Sequence, residues 1–558
     1  MLTATAAKRR RAANKKGRNA SAADIEQLRR LLGDEDLRRD RLIEYLHRIQ
    51  DTRGHLPAAL LVALAHELHL SAAEVYEVAT FYHHFDVVKD DDTPPPALTV
   101  RVCDSISCAM AGAEDLLSSL HEAFGDGVRV QRVPCVGRCA QAPVSVVGTF
   151  PVTYATTGKV LDAVTAGNHI DHAPGDAVDL AAYRAAGGYA QLLRLMDGGE
   201  AASEAALVTL ENANLRGLGG AGFPAGRKWR IVHNYPAPRL MAVNIDEGEP
   251  GTFKDRHFLE RNPHQFLEGL LIAAHIVAVD GVYIYLRDEY AGVRTLLQRE
   301  LKALQADPPC PLPPIELRRG AGAYICGEES AMIESIEGRR GMPRLRPPYI
   351  AEVGLFGRPT LEHNMETLYW VPEILARGAD WFLSHGRNGR KGLRSFSVSG
   401  RVKHPGVHLA PAGISVRELI DQYAGGMLDG HTLKAYLPGG ASGGILPASL
   451  ADLPLDFDTL QAHGCFIGSA AVIVLSEHDS VRDVALNAMR FFAHESCGQC
   501  TPCRVGTQKA AALMAQPVWD RALLDDLCEV MQDASICGLG QAAPNPLRCA
   551  MKYFPEEF

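Results

Sequence analysis

The stretch Arg216-Gly217-Leu218-Gly219-Gly220-Ala221-Gly222-Phe223-Pro224-Ala225-Gly226-Arg227-Lys228-Trp229 decides how this chain is read. It satisfies a bare G-x-G-x-x-G pattern. The segment before it, Glu204–Asn212, has helical spacing, whereas a Rossmann dinucleotide fingerprint follows a strand. The physics of the loop survives that mismatch: its glycines let backbone N–H groups approach a phosphate, and Lys228 adds a cation. A flexible surface turn is the competing reading. Two further loops weigh against it. Asn244-Ile245-Asp246-Glu247-Gly248-Glu249-Pro250-Gly251, followed by Asp255, gathers acids that repel one another unless they meet hydroxyls or a polar ring. Gly320-Ala-Gly322-Ala-Tyr324-Ile-Cys326-Gly327-Glu328-Glu329-Ser330 again sets glycines beside carboxylates. Cys326 has no nearby histidine base and reads as structural rather than nucleophilic.

Working outward, 558 residues allow about three or four domains. With 47% hydrophobic and 22% charged residues, a disordered or fibrous protein is excluded. No window is apolar for long enough to span a bilayer. The best candidate, Leu270 to Leu286, is interrupted by His275 and Asp280. A formal charge of −9 argues against a nucleic-acid-seeking surface. Lys8, Arg9, Arg10, Arg11, Lys15, Lys16 and Arg18 form a basic start with no apolar stretch behind it. They read as a solvated tail or a docking arm for an acidic partner, in a cytoplasmic chain.

Periodicity divides the chain as follows. Residues 1–20 are a basic disordered tail and 21–92 a helical region, with helices expected at Ala23–Leu32, Arg38–Thr52, Pro57–Leu68 and Ala72–Phe81. The run from Asp90 to Pro96 ends that region. A small α/β unit covers 97–165, a linker 166–204, and a larger α/β region 205–395. A β-rich unit spans 396–475 and a helical region 476–558, with helices over Ser480–Met514 and Val518–Asp533.

Eight of the 13 cysteines fall into two groups, and grouped cysteines in such a chain point to metal or redox chemistry. Cys103-x4-Cys108 and Cys135-x3-Cys139 each follow a strand. Four thiolates from two loops suit a 2Fe–2S cluster; structural zinc is the alternative, although zinc pairs usually keep the tighter C-x2-C knuckle. In the second group, Cys497, Cys500 and Cys503 at C-x2-C-x2-C wrap one face of a 4Fe–4S cubane, and the distant Cys537 closes it. Cys528 competes for the fourth place but sits in an apolar helix.

Together these residues resemble the flavin- and NADH-binding subunit of respiratory complex I. Residues 21–165 are similar to the thioredoxin-like 2Fe–2S protein of that complex, here joined in front within one chain. The resemblance implies a multidomain α/β protein. Its parts would be an N-terminal helical bundle, a thioredoxin-like 2Fe–2S domain, a Rossmann-like FMN/NAD domain, a β-grasp (ubiquitin-like) domain and a C-terminal helical bundle holding 4Fe–4S. It implies an FMN site of Gly217, Gly219, Gly220, Lys228, Asn244, Asp246, Glu247, Tyr324, Gly327, Glu328, Asn364 and Thr367. The NAD side would use Phe223, Glu249, Glu329, Arg346 and Tyr349. It assigns Cys103, Cys108, Cys135 and Cys139 to 2Fe–2S, and Cys497, Cys500, Cys503 and Cys537 to 4Fe–4S. No side chain is implied as a chemical catalyst: hydride would pass directly between NAD and FMN, with Glu249 positioning the nicotinamide. His363, Arg346, Tyr349 and Ile231 depart from the family's usual residues, the last three beside the dinucleotide.

Fused chains of this kind resemble two enzyme classes. The intact N-terminal cysteine set, with the wording of 101–108, 283–290 and 437–446, is closest to the β subunit of NAD-dependent formate dehydrogenase. That likeness implies a partner subunit carrying pterin-bound molybdenum or tungsten and further iron–sulfur clusters. The diaphorase subunit of NAD-reducing hydrogenase, or a complex I-type NADH dehydrogenase module, is the alternative. Neither reading involves nucleic acid or membrane insertion.

Overall fold

A computed structural model describes residues 18–33 and 36–558. The basic stretch from Lys8 to Lys16 lies outside the described residues. The chain forms two compact units: the described residues up to 97 together with 337–340, and residues 98–336 together with 341–558.

The first unit is built on α1 (Ala22–Leu32), α2 (Leu42–Arg53), α3 (Ala58–Glu67) and α4 (Ala72–Phe81), with a short parallel pair, β1 (Leu56–Pro57) and β2 (Val87–Val88). Leu28, Leu46, Ile49, Leu60, Leu64 and Val75 fill its interior. Ser71 and Glu74 form a reciprocal capping box that starts α4 where the sequence expects it. The helix expected from Arg38 begins instead as a 3-10 turn, Arg39–Arg41. Tyr82 donates to the Arg339 carbonyl at 2.7 Å and ties 337–340 to this unit.

The second unit opens with β3 (Thr99–Cys103), α5 (Ile106–Met110), α6 (Ala113–Phe124), β4 (Arg129–Val133), β5 (Ser145–Val147), β6 (Phe150–Val152) and α7 (Thr157–Thr165). Its sheet runs β4-β3-β5-β6, parallel between β3 and β4 and antiparallel beyond, which is the thioredoxin-like arrangement. Val100, Val102, Leu116, Leu120, Val144, Val147 and Val160 form its core. The segment 166–204, read as a linker, contains α8 (Leu180–Ala185) and the first part of α9 (Ala190–Asn212, kinked at Gly199). It is held because the buried Glu268 carboxylate accepts from the Tyr183 hydroxyl at 2.6 Å and from the Tyr189 N–H at 2.9 Å, long-range contacts that no local periodicity reveals.

Next come α10 (Ala225–His233), β7 (Leu240–Ile245), α11 (Lys254–Leu259), α12 (Pro263–Val277), β8 (Gly281–Leu286), α13 (Ala291–Ala306), β9 (Ile315–Arg319), α14 (Glu329–Ile336), β10 (Thr360–Asn364), α15 (Met365–Tyr369), α16 (Val371–Arg377) and α17 (Ala379–Ser384). The four strands make an all-parallel sheet in the order β10-β7-β8-β9. Parallel sheets are covered on both faces, so β8 is a continuous apolar run and α12 is buried almost all round. The apolar run from Leu270 to Leu286 is therefore a core helix and strand. Among the described residues no helix is long and apolar enough to cross a membrane.

A five-stranded β-grasp sheet, β12-β11-β15-β13-β14, follows. It is made of β11 (Leu393–Gly400), β12 (Gly406–Pro411), β13 (Leu433–Leu437), β14 (Leu446–Pro447) and β15 (Ala471–Ser476), with α18 (Val416–Gln422) between β12 and β13 in the chain. The C-terminal helices are α19 (Val481–Glu495), α20 (Thr501–Met514), α21 (Arg521–Ala534), α22 (Gly538–Ala542) and α23 (Pro544–Tyr553). The single helical stretch expected over Ser480–Met514 is broken between Glu495 and Thr501. There Gly498 takes φ 77° and turns the cysteine loop inward.

Candidate functional site

Strand order reverses between β7 and β10, because the chain leaves β7 toward β8 and β9 and returns to β7's other edge. Crevices in open parallel sheets form at such a reversal, outside the carboxyl ends of the strands. Asn244 and Asn364, partners in register, stand at those two ends. Both line a cavity of about 300 Å³, within the range of small-molecule sites. Gly219, Gly220, Asp246, Glu247, Glu249, Tyr324, Gly327 and Glu328 line it as well, so all three loops singled out in the sequence converge here.

The remaining expected residues lie around the cavity rather than on its wall. Gly217 donates its N–H to the Phe223 carbonyl at 2.8 Å, closing the glycine loop on itself. Thr367 Oγ1 accepts the Leu218 N–H at 2.9 Å and pins that loop to α15. Lys228 Nζ is held at 2.9 Å by Glu362, with Glu329 4.0 Å away. Arg346 pairs with both Glu328 and Glu329, the latter at 3.0 Å. Phe223 and Tyr349 stand exposed at the surface.

The sequence reading missed several wall residues. The cavity's ammonium is Lys254, buried and paired with Asp255 at 2.7 Å and Glu366 at 3.0 Å. Burial opposes its charge, but those two carboxylates outweigh that and raise its pKa. Gly439, Ser442, Phe466, Gly468 and Ser469 from loops of the β-grasp unit, and Leu539 and Ala542 from α22, complete the wall. The only local signal for them was glycine density at 439–444 and 464–468.

Burial dominates the electrostatics. It raises the Asp246 and Glu249 pKa values and, together with the Asp255 charge, lifts Glu247 to about 7. Glu249 accepts from the Tyr324 hydroxyl and from the Ser442 N–H at 2.7 Å. Gly440 (φ 74°) makes this possible, since a Cβ there would lie 2.7 Å from Glu249 Cγ. Asp246 Oδ2 is buried and has no hydrogen-bond partner among the described residues. A buried acceptor without a donor, on a residue that lines a glycine-rich cavity, fits a ligand bearing hydroxyls.

Each of the two cysteine groups converges in space. Cys103 ends β3, Cys108 lies on α5, and Cys135 and Cys139 follow β4. The Cys135 and Cys139 sulfurs are 3.3 Å apart, and Cys103 contacts both Cys108 and Cys135. All four are buried. The thiol of Cys135 is pushed down by hydrogen bonds from Cys103 and Cys139 and further by Arg287. Cys497, Cys500, Cys503 and Cys537 line a second, small cavity. Cys528 is not among its lining residues and is buried on α21. Ile325 and Leu539 border both this cavity and the larger one, so a single apolar layer separates them.

Residues 210–373 match the Nuo51 FMN-binding domain, 483–558 the NADH-ubiquinone oxidoreductase-F iron-sulfur binding region, and 28–167 the thioredoxin-like [2Fe-2S] ferredoxin family. The chain is 39% identical over 394 residues to the second F-type NADH-quinone oxidoreductase subunit of Rhizobium meliloti (strain 1021), covering 68% of this chain and 93% of that protein. The chain belongs to the family of F-type NADH-quinone oxidoreductase subunits. The F-type member from Aquifex aeolicus (strain VF5) is 40% identical over 391 residues, 65% of this chain and 89% of that one. Among solved structures, a chain of NAD+-reducing [NiFe]-hydrogenase in the H2-reduced state superposes with a TM-score of 0.81 at 32% identity, covering 93% of this chain and 92% of that chain.

This F-type family member is thus an NAD(H)-dependent oxidoreductase chain with an FMN-binding domain, a thioredoxin-like 2Fe–2S domain and a 4Fe–4S region. The donor sets fit those groups: an unpartnered buried carboxylate oxygen among glycines for FMN, and two convergent sets of four thiols for the clusters.

Proposed function

We propose that this chain is the NAD+-reducing subunit of a heteromeric, cytoplasmic, NAD-dependent formate dehydrogenase. A partner subunit would hold the pterin-bound molybdenum or tungsten site and further iron–sulfur clusters. The observation that carries the reading is the complete, convergent set Cys103, Cys108, Cys135 and Cys139 fused in front of the flavin domain. A second reading, the diaphorase subunit of an NAD-reducing hydrogenase, is favoured by the end-to-end likeness to the hydrogenase chain.

FMN, when bound, exchanges a hydride with NAD(H) and single electrons with iron–sulfur clusters. The chain's own residues do the rest. Gly219, Gly220, Asn244, Asp246, Glu247, Tyr324, Gly327, Glu328 and Asn364 would hold the flavin, with Gly217, Lys228 and Thr367 supporting the loop and its flank. Glu249, fixed by Tyr324 and Ser442, would position the nicotinamide, and Phe223, Glu329, Arg346 and Tyr349 would face the rest of the dinucleotide. Ile325 and Leu539 keep water out of the layer toward Cys497, Cys500, Cys503 and Cys537, the side from which substrate electrons would arrive.

The deciding test is NAD+ reduction by the native complex with formate and, separately, with hydrogen. Formate-only activity supports the proposal, and hydrogen-only activity transfers the chain to the second reading. Formate oxidation by the isolated chain would remove the need for a metal-bearing partner and overturn it.

A further inference from the structure

Arg287, the first residue after β8, is buried, with its side chain 4% exposed. It spends its donors on three different parts of the second unit. Nη2 donates to the Cys135 carbonyl at 2.6 Å, Nη1 to the Glu247 carbonyl, and Nε to the Glu289 carboxylate at 3.0 Å. Its neighbours repeat the same link between the cysteine loop and the acidic loop. Tyr290 donates to Glu247 Oε2 at 2.8 Å while its ring lies so close over Gly137 that a Cβ there would be 2.2 Å from the hydroxyl oxygen. Arg256 Nε donates to the Gly137 carbonyl at 3.2 Å. Phe253, on the same loop, packs directly on Cys135 and Cys139.

A 2Fe–2S cluster held by four thiolates becomes one unit more negative when it takes up an electron, with no bond made or broken. A fixed guanidinium beside one of its ligands favours the more negative form. The effect is largest where water is excluded, because Coulomb energies grow as the local dielectric falls. Arg287 is a cation so placed, beside Arg256 on the Gly137 carbonyl and Arg138 next to Cys139. Its charge is offset by Glu289, whose side chain is 28% exposed, so the net field at the cysteines depends on both.

We propose that Arg287 is a positioning residue shared by the two redox sites: it clamps the Cys135 loop to the Glu247 loop and raises the reduction potential of the 2Fe–2S cluster. The inference rests on the assignment of Cys103, Cys108, Cys135 and Cys139 to that cluster.

The test is a dithionite redox titration of the full-length protein followed by electron paramagnetic resonance, which reads each cluster separately. Arg287→Met should lower the reduced-to-oxidised ratio of the 2Fe–2S cluster at a fixed ambient potential about tenfold, a shift of about 59 mV for a one-electron couple. Arg287→Lys, which keeps the charge, should lie nearer the native protein. Glu289→Gln, which removes the counter-charge, should move the potential upward. The 4Fe–4S potential should stay put in all three. Opposite shifts from two neighbouring substitutions are not what general loosening of the fold produces. An assembled Arg287→Met cluster with the native potential overturns the proposal. So does Glu289→Gln shifting downward or not at all, which decides the matter even if Arg287→Met fails to assemble its cluster. A native protein with no 2Fe–2S signal overturns the ligand assignment itself, an outcome distinct from either.

Discussion

Glu249 and Glu247 are two residues apart in one loop, and their surroundings give them different work. Glu249 is anchored by Tyr324 and Ser442 at the cavity wall, with its charge toward the space a dinucleotide would enter. Replacing it by Gln keeps the shape and removes a charge-assisted hydrogen bond, which is worth about 1.5–3 kcal/mol. Glu249→Gln should therefore raise KM for NADH roughly tenfold or more with FMN retained. Loss of FMN with unchanged NADH kinetics in the remaining holoprotein would show that Glu249 serves the flavin instead. Glu247, on the same wall, has its carboxylate engaged in a buried network with Tyr290 and the Asp255 N–H. Its carboxyl titrates at about 7 rather than the ordinary 4.5, because burial, and then Asp255, disfavour the charged form. Between those two values the unfolded chain has released its proton while the folded chain keeps it, so folding stability falls as pH rises. Above about 7 both states are ionised and this contribution levels off. Urea unfolding at about pH 5 and about pH 8 should show a smaller stability loss in Glu247→Gln than in the native chain, the rest coming from groups such as Glu495, which burial lifts to about 8; an unchanged pH dependence in the variant would assign the whole slope to those other groups.

At the scale of elements, the glycine loop is held from below by a helix pair. Gly269 of α12 lets α15 approach so closely that a Cβ would sit 1.9 Å from the Leu368 carbonyl oxygen. The adjacent Thr367 holds the loop's Leu218 N–H. Gly269→Ala must push the helices apart; overpacking of this kind costs about 1–3 kcal/mol. The variant should melt earlier and retain less FMN, both measurable on one purified sample. The cysteine loops are separable elements in the same sense. Cys135→Ser should abolish the 2Fe–2S signal while NADH oxidation by ferricyanide persists. Cys500→Ser should abolish the 4Fe–4S signal and cut electron exchange with a partner. Loss of NADH–ferricyanide activity in Cys135→Ser would mean that the first cluster supports the flavin site structurally.

For the whole molecule, the cofactor complement is the plainest check. One 2Fe–2S cluster and one 4Fe–4S cluster require about six iron atoms per chain, alongside about one FMN. Iron, acid-labile sulfide and flavin analysis of the purified protein should return that ratio. A colourless chain holding two zinc ions would defeat the redox account.

What the sequence determined by itself was whatever is encoded over a few residues. C-x2-C-x2-C places three sulfurs on one turn, and the glycine and acidic loops announce backbone exposed to a ligand, because both are properties of local backbone geometry. Capping residues such as Ser71 and Glu74 started helices where expected for the same reason. The G-x-G-x-x-G match also showed in sequence that it was no Rossmann fingerprint, and in the structure it does follow a helix, α9. What only the tertiary structure decided were pairings across tens to hundreds of residues. The linker at 166–204 acquired helices because Glu268 captures Tyr183 and Tyr189. Lys254, rather than Lys228, became the cavity's ammonium because Asp255 and Glu366 meet there. The β-grasp loops and α22 closed the cavity, and Arg287 came to bridge the Cys135 and Glu247 loops. In each of these, pairing with residues far along the chain offsets the cost of burying charge or polar surface, and no window of sequence contains that pairing.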